Sequence, residues 1–190
     1  MAFPQTYKLA SGEIITLREA EVRDAAAVME HTWKVIRDSE YMLTSPEEFT
    51  ISETQEKQWI KEHSDHHGDI LLVAEEYGRI IGVLSFKNGR RKRTAHTGTF
   101  GISVKKQMRG KGVGKLMILS LLDWASTHPL IEKVTLEVFA TNEYAIRLYE
   151  KLNFRKEGRK VNQIKLKNGE YADELLMSRF VKNVDSFKNS

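Results

Sequence analysis

Thirty Lys and Arg stand against twenty-six Asp and Glu in 190 residues, a formal charge of +4 that is too small to mark a nucleic-acid-binding protein by composition. Hydrophobic residues at 41% and charged residues at 29% exclude a disordered chain, a collagen-like repeat and a coiled coil, and the length suits one folded domain. With no cysteine there is no disulfide, no thiolate metal site and no cysteinyl acyl intermediate.

The start, Met1 to Leu9, lacks a basic stretch followed by an apolar core, and no run approaches the ~18 apolar residues of a membrane span, so a cytoplasmic location is expected. Ile14-Ile15-Thr16-Leu17-Arg18 alternates as a short strand, and Asp24 reads as the cap of an Ala-rich helix carrying Val28, Trp33 and Ile36. Residues 38–50 form an irregular connection holding Tyr41, Met42 and Phe49, which suits either packing or a substrate wall. Ser52 and Gln55 are spaced as a capping box for a second helix, with Trp59 and Ile60 as its apolar contacts. The runs Ile70 to Ala74 and Ile80 to Leu84, joined through Glu76-Tyr77-Gly78-Arg79, predict a hairpin. A third strand is expected from about Thr94 to Val104. Then come a helix from about Gly112 to Thr127, a strand Val134 to Phe139, a helix Asn142 to Leu152, and two last strands near 154–158 and 170–180. Strands alternate with helices only in part, which predicts a mixed sheet of α/β class. No linker or repeat divides the chain, and the polar stretch Asn183 to Ser190 is expected to be frayed.

Three features read as ordinary structure. Arg90-Arg91-Lys92-Arg93 falls in a strand-connecting turn without interleaved aromatics, a solvated loop rather than a nucleic-acid patch. His63 and His67 are spaced i, i+4 beside Asp65, yet Gly68 ends the segment without a third ligand, so a surface helix end is expected and no metal. Val113, Leu116, Met117, Leu121 and Trp124 cover most faces of their helix, which marks core against a sheet.

The informative segment is Gly101-Ile102-Ser103-Val104-Lys105-Lys106-Gln107-Met108-Arg109-Gly110-Lys111-Gly112-Val113-Gly114-Lys115, a strand passing through a basic turn into a helix. Glycines let a ligand approach the backbone, and a helix start offers free N–H groups and a positive dipole end, a combination suited to a phosphate or pyrophosphate. Neither a Walker loop nor a dinucleotide fingerprint has this spacing.

Arg109-Gly110-Lys111-Gly112-Val113-Gly114 matches the Arg/Gln-x-x-Gly-x-Gly/Ala signature of GNAT acyl-CoA N-acyltransferases, and the sequence resembles that family. Leu136 to Asn142, followed by Ala145, Leu148-Tyr149, Leu152 and Phe154, is similar to the family's second motif, and Glu75 to Ser85 resembles its hairpin. Within the family, Ala95-His96, Phe100 to Val104 and Asn168 to Asp173 are similar to bacterial amino-acid N-acetyltransferases. The resemblance implies a single N-acetyltransferase domain over residues 1–190, with a core of about 14–181. It implies a mixed, mostly antiparallel sheet of about six or seven strands flanked by about four helices.

The activity so implied is transfer of an acetyl group from acetyl-CoA, as co-substrate, to a primary amine of a small molecule, an amino acid foremost, by direct attack in a ternary complex. Protein N-terminal acetylation and a non-catalytic acyl-CoA-binding module are the alternatives. The partner is a small-molecule amine, with no nucleic acid, no membrane and a possible homodimer. Ile102 and Val104 would hold the pantetheine arm through their backbone, the Val104 N–H polarising the thioester carbonyl. The backbone of Arg109, Gly110, Gly112, Val113, Gly114 and Lys115 would hold the pyrophosphate. Asn142 has two readings, a helix N-cap and a contact to the cofactor arm. Tyr149 is implied as the acid for the departing thiolate, although helical spacing with Ala145, Leu148 and Leu152 also suits a core aromatic. Many relatives carry a glutamate where this chain has Thr99, so the base is open between Glu137, His96 and a water chain, with Glu137 carried forward.

Overall fold

The computed structural model describes residues 3–182, so the expectation for Asn183 to Ser190 lies outside the described residues. The elements are β1 Gln5–Lys8, β2 Ile14–Glu19, α1 Ala25–Asp38, α2 Glu53–Asp65, β3 Ile70–Glu76, β4 Arg79–Asn88, β5 Thr97–Val104, α3 Val113–Thr127, β6 Lys133–Phe139, α4 Glu143–Lys151, β7 Arg155–Lys165 and β8 Tyr171–Phe180. The strand order is β1-β2-β3-β4-β5-β6-β8-β7. The sheet is mixed: β5 and β6 pair in parallel, whereas β6 with β8 and β7 with β8 are antiparallel. The fold is thus α/β with four helices, as expected, but the sheet has eight strands rather than six or seven. The additional strand is β1. Gln5-Thr6-Tyr7-Lys8 carries no apolar run; its backbone pairs with β2, Gln5 opposite Leu17 and Lys8 opposite Ile14. Among the described residues no helix is long and apolar enough to cross a membrane.

The chain divides into two compact units: the chain up to Lys87 with Gly101–Leu121, and Asn88–Phe100 with the chain from Leu122 onward. In the first unit, Ala20, Ala25, Val28, Ile60, Leu71, Val73 and Val83 form one buried cluster, with Trp59 and Ile80 packed against it. Ile60 is 1% exposed, and its truncation to alanine costs about 2–5 kcal/mol. The Ser52 box forms as expected: Gln55 N–H donates to Ser52 Oγ at 3.3 Å, and Ser52 N–H to Gln55 Oε1 at 2.8 Å.

Two expectations for this unit need correction, the Asp24 cap and the surface place of His63. Asp24 stands at the N-cap of α1 but makes no cap hydrogen bond to that helix. Its carboxylate instead accepts two guanidinium bonds from Arg18, at 2.6 and 2.9 Å. A bidentate charge-assisted pair outcompetes one neutral N–H, and the same guanidinium also donates to Glu75. Trp33 is 42% exposed beneath Arg37, whereas Ala25, Val28, His31, Val35 and Ile36 are the buried residues of α1. His63 is buried, not at the surface: its Nδ1–H donates to the Trp59 carbonyl at 2.8 Å and its ring meets that indole edge-on.

In the second unit, the rings of Phe100, Tyr149 and Phe154 pack with centroids 5.8–6.0 Å apart. Strand β7 runs to Lys165, well beyond the expected 158, although nearly all its side chains are exposed. Backbone pairing with β8 extends it, and irregularities between Lys156 and Gly158 and between Lys160 and Ile164 interrupt the ladder. Arg90 to Arg93 lie in the turn between β4 and β5, all exposed, as expected of a solvated loop.

Candidate active site

The basic glycine segment occupies the first unit. Gly110 and Gly112 have φ of +77° and +94°, and no other atom comes within 4 Å of where their Cβ would lie. Only glycine takes such φ values without strain, so these residues turn the chain sharply and leave its backbone uncovered. Gly112 opens α3: its carbonyl accepts the Leu116 N–H at 3.0 Å. The N–H groups of Val113, Gly114 and Lys115 therefore precede the first intrahelical bond, and the first turn holds no acidic residue to neutralise them. This is a row of main-chain donors at a positive dipole end, the arrangement that binds a phosphate or pyrophosphate.

Gly114 is different. A Cβ there would sit 3.7 Å from Val104 Cγ2 and 3.9 Å from Ile102 Cδ1, ordinary contact distances, so the helix start rests on the end of β5. That strand end is tied down: Lys105 N–H donates to the Ile81 carbonyl at 2.9 Å and Arg109 Nε–H to the Val104 carbonyl at 3.1 Å. The Arg109 side chain thus fastens the turn to the strand it leaves. Lys111 does not stand over the turn either; its ammonium pairs with Glu13 and holds that carboxyl at about 2, well below the usual range.

Glu137, Asn142 and Tyr149 fall in the second unit. Asn142 caps α4, its Oδ1 accepting from Ala145 N–H at 3.2 Å and its backbone carbonyl from Ile146 N–H at 3.0 Å. The cap uses the side-chain oxygen and leaves the Nδ2 donors for another partner. Tyr149 is 7% exposed and burial pushes its hydroxyl up to about 12. That hydroxyl makes no hydrogen bond among the described residues and is not one of the sealed polar atoms. Glu137 is exposed and paired with Lys160 at 2.7 Å; Lys160 also reaches the buried Glu174 at 2.9 Å. The two carboxylates raise the Lys160 pKa. Thr99 Oγ1 lies 2.8 Å from Thr135 Oγ1, which in turn donates to the Gly98 carbonyl at 3.0 Å. A groove of about 730 Å³ along α4 and β7, floored by Ile146 and Leu175, includes none of Glu137, Asn142 and Tyr149.

One polar contact beside the glycine segment was missed in the sequence. His31 of α1 is 4% exposed and its Nε2 lies 2.9 Å from Ser103 Oγ, on the strand end just described. Burial pushes the imidazole down to about 4, so it is neutral at ordinary pH. The available signal was a histidine on the Val28–Val35 stripe of an amphipathic helix, and its partner is 72 residues away.

Comparison with known proteins finds a family match over most of the chain. Residues 33–154 match the family described as "Acetyltransferase (GNAT) family". An L-amino acid N-acetyltransferase of Escherichia coli (strain K12) is 28% identical over 166 residues, covering 87% of this chain and 97% of that protein. Among solved structures, an acetyltransferase of the GNAT family from Streptococcus pneumoniae superposes with a TM-score of 0.84 at 24% identity, covering 87% of this chain and 99% of that one. A putative acetyltransferase from Salmonella typhimurium, solved with acetyl-CoA, gives 0.77 at 22% identity, covering 89% and 95%.

Proposed function

From the premise that the chain belongs to the GNAT acetyltransferase family, whose members draw their acyl group from acetyl-CoA, we propose that it acetylates the primary amine of a small molecule, an amino acid foremost. The observation that carries the reading is the row of main-chain N–H groups from Gly112 to Lys115 that precede the first intrahelical bond of α3, donors for a pyrophosphate with no acidic side chain in the first turn. The amino-acid acceptor rests on the Escherichia coli relative's name and on its match to nearly all of this chain.

Forming an amide from a thioester needs a neutral amine at the carbonyl, polarisation of that carbonyl, and a proton for the departing sulfur. The C–N bond forms as the C–S bond breaks; the amine gives up one proton and the sulfur takes one. In this reading the backbone of Ile102 and Val104 aligns the pantetheine arm, and the Val104 N–H donates to the thioester oxygen. The backbone of Arg109, Gly110, Gly112, Val113, Gly114 and Lys115 grips the pyrophosphate, and Asn142 Nδ2 donates to the arm while its Oδ1 keeps the cap.

Tyr149 serves the sulfur. Its hydroxyl at about 12 stands against ~8.5 for a free thiol, so full transfer is uphill and the group acts first by hydrogen bonding to the charge that develops on sulfur. Glu137, which is paired with the Lys160 ammonium, takes the amine proton directly or through a water. Thiol release from acetyl-CoA, measured across amino acids, polyamines, aminoglycosides and N-terminal peptides, tests the proposal. Acceptor-dependent release with an amino acid is the expected result. Release only with N-terminal peptides would move the acceptor to proteins, and release without any acceptor would remove the transferase reading.

A further inference from the structure

We propose that the buried His31 and the half-buried Ser103 form a positioning pair that fixes the last residues of β5, and with them the aim of the Val104 N–H, so that the pair governs turnover rather than coenzyme affinity. The inference rests on the role given above to Val104.

The argument starts from alternation along the strand. Ile102 and Val104 both point to the start of α3, since their side chains are the atoms nearest a Cβ at Gly114. Ser103, between them, projects to the opposite face, where His31 of α1 meets its hydroxyl at 2.9 Å. The strand ends at Val104, and a strand end frays unless its neighbours hold it. Lys105 N–H to Ile81 and Arg109 Nε–H to Val104 hold its backbone. Their partners, however, are themselves backbone of β4 and an exposed side chain of the turn. The His31 bond differs in being anchored in a helix whose buried stripe, Val28, His31 and Val35, faces the core.

A valine or leucine would fill the His31 position at lower desolvation cost, so packing alone does not account for an imidazole there. What the imidazole adds is a directional bond to the residue next to the proposed carbonyl-polarising N–H. Such donors must be held close to the oxygen they serve: a misplacement of about 1 Å costs on the order of a hundredfold in rate. The pyrophosphate donors Val113, Gly114 and Lys115, by contrast, sit on α3, beyond two glycines, and do not depend on where the Ser103 side chain points.

The test uses the full chain with Ser103→Ala, His31→Phe and His31→Gln. Turnover and acetyl-CoA KM come from thiol release, CoA Kd from calorimetry, and the folded state from thermal unfolding. Ser103→Ala removes the hydroxyl with little change in volume, His31→Phe keeps the ring, and His31→Gln restores a polar nitrogen near Nε2. The expected result is a kcat lowered about tenfold or more in the first two, with KM and Kd changed by less than about threefold, and recovery in His31→Gln to within about threefold of the parent. Unchanged kcat in folded Ser103→Ala overturns the inference, as does a parallel rise in KM and Kd. His31→Gln no better than a folded His31→Phe does so too; if His31→Phe does not fold, Ser103→Ala alone decides. A parent protein that binds CoA but releases no thiol with any acceptor overturns the functional reading, and this inference with it, whereas an active parent with an indifferent Ser103→Ala overturns the inference alone.

Discussion

The turn ahead of α3 and the β6–α4 region are proposed to serve one reaction with different atoms. At the turn the groups so proposed are main-chain N–H donors without intrahelical partners, beside two left-handed glycines and at a helix start without an acidic side chain. In the β6–α4 region they are side chains with other obligations: Asn142 caps a helix, Glu137 is paired to Lys160, and Tyr149 is packed between Phe100 and Phe154. A backbone site depends on conformation and is damaged by any residue that cannot take the required φ. A side-chain site depends on chemical identity and can be weakened by changing one atom.

The sharpest way to break the comparison is Gly112→Val. At φ +94° a β-branched residue is strained, and its side chain stands in the open space at the start of α3. We expect kcat/KM for acetyl-CoA to fall on the order of a hundredfold or more, mostly through KM, with thermal unfolding reporting whether the fold survives. A folded variant with parental KM would end the assignment of the turn.

Next in size is a pH effect at His31, the imidazole buried against the end of β5. His31 has a folded pKa of about 4 against 6.5 for the free group. Between these values the unfolded chain binds a proton that the folded chain does not. The stabilisation is therefore whole above pH 6.5 and is lost as pH falls toward 4, an effect of about 3 kcal/mol. Urea unfolding of the parent and of His31→Gln from pH 7 to pH 4 isolates it: the parent should lose more stability on acidification than the variant, and parallel curves would contradict the burial argument.

In the second region, Tyr149→Phe should lower kcat about a hundredfold with acetyl-CoA KM nearly unchanged. With the hydroxyl at about 12, the parent should show no alkaline loss of activity from this group below about pH 11. Glu137→Gln should cost less, about tenfold in kcat, because that carboxylate is exposed and already engaged by Lys160, and a water can take its place. Equal activity in Glu137→Gln and the parent would return the base to a water chain.

The same contrast explains what the sequence disclosed. Glycines that expose backbone are visible as residues, so the strand–turn–helix around Gly110 to Gly114 was legible, as were the local devices Ser52 with Gln55 and Asn142 with Ala145. Each spans at most a few residues. What stayed hidden was set by distant partners: Asp24 was taken from its cap by Arg18, which also holds Glu75, 57 residues from Arg18. Glu137 acquired Lys160 from a strand 23 residues on, and His31 found Ser103 across 72 residues. Strand β1 was hidden for another reason: it is held by backbone pairing at an edge, which leaves no side-chain pattern to read.

The smallest expected effect is the most discriminating about how the turn works. Gly114 lies one residue inside α3, and its φ is not in the left-handed region. A methyl there would touch Val104 Cγ2 at 3.7 Å and Ile102 Cδ1 at 3.9 Å, distances that fill space without pushing. Alanine also favours a helix over glycine by roughly 1 kcal/mol. Gly114→Ala should therefore raise thermal stability slightly and change acetyl-CoA KM by less than about threefold, in contrast to Gly112→Val two residues away. If Gly114→Ala instead loses coenzyme affinity as severely, the space beside Val104 is occupied by the bound arm itself. The third glycine would then be kept for close approach of the ligand and not, like Gly110 and Gly112, for the direction of the chain.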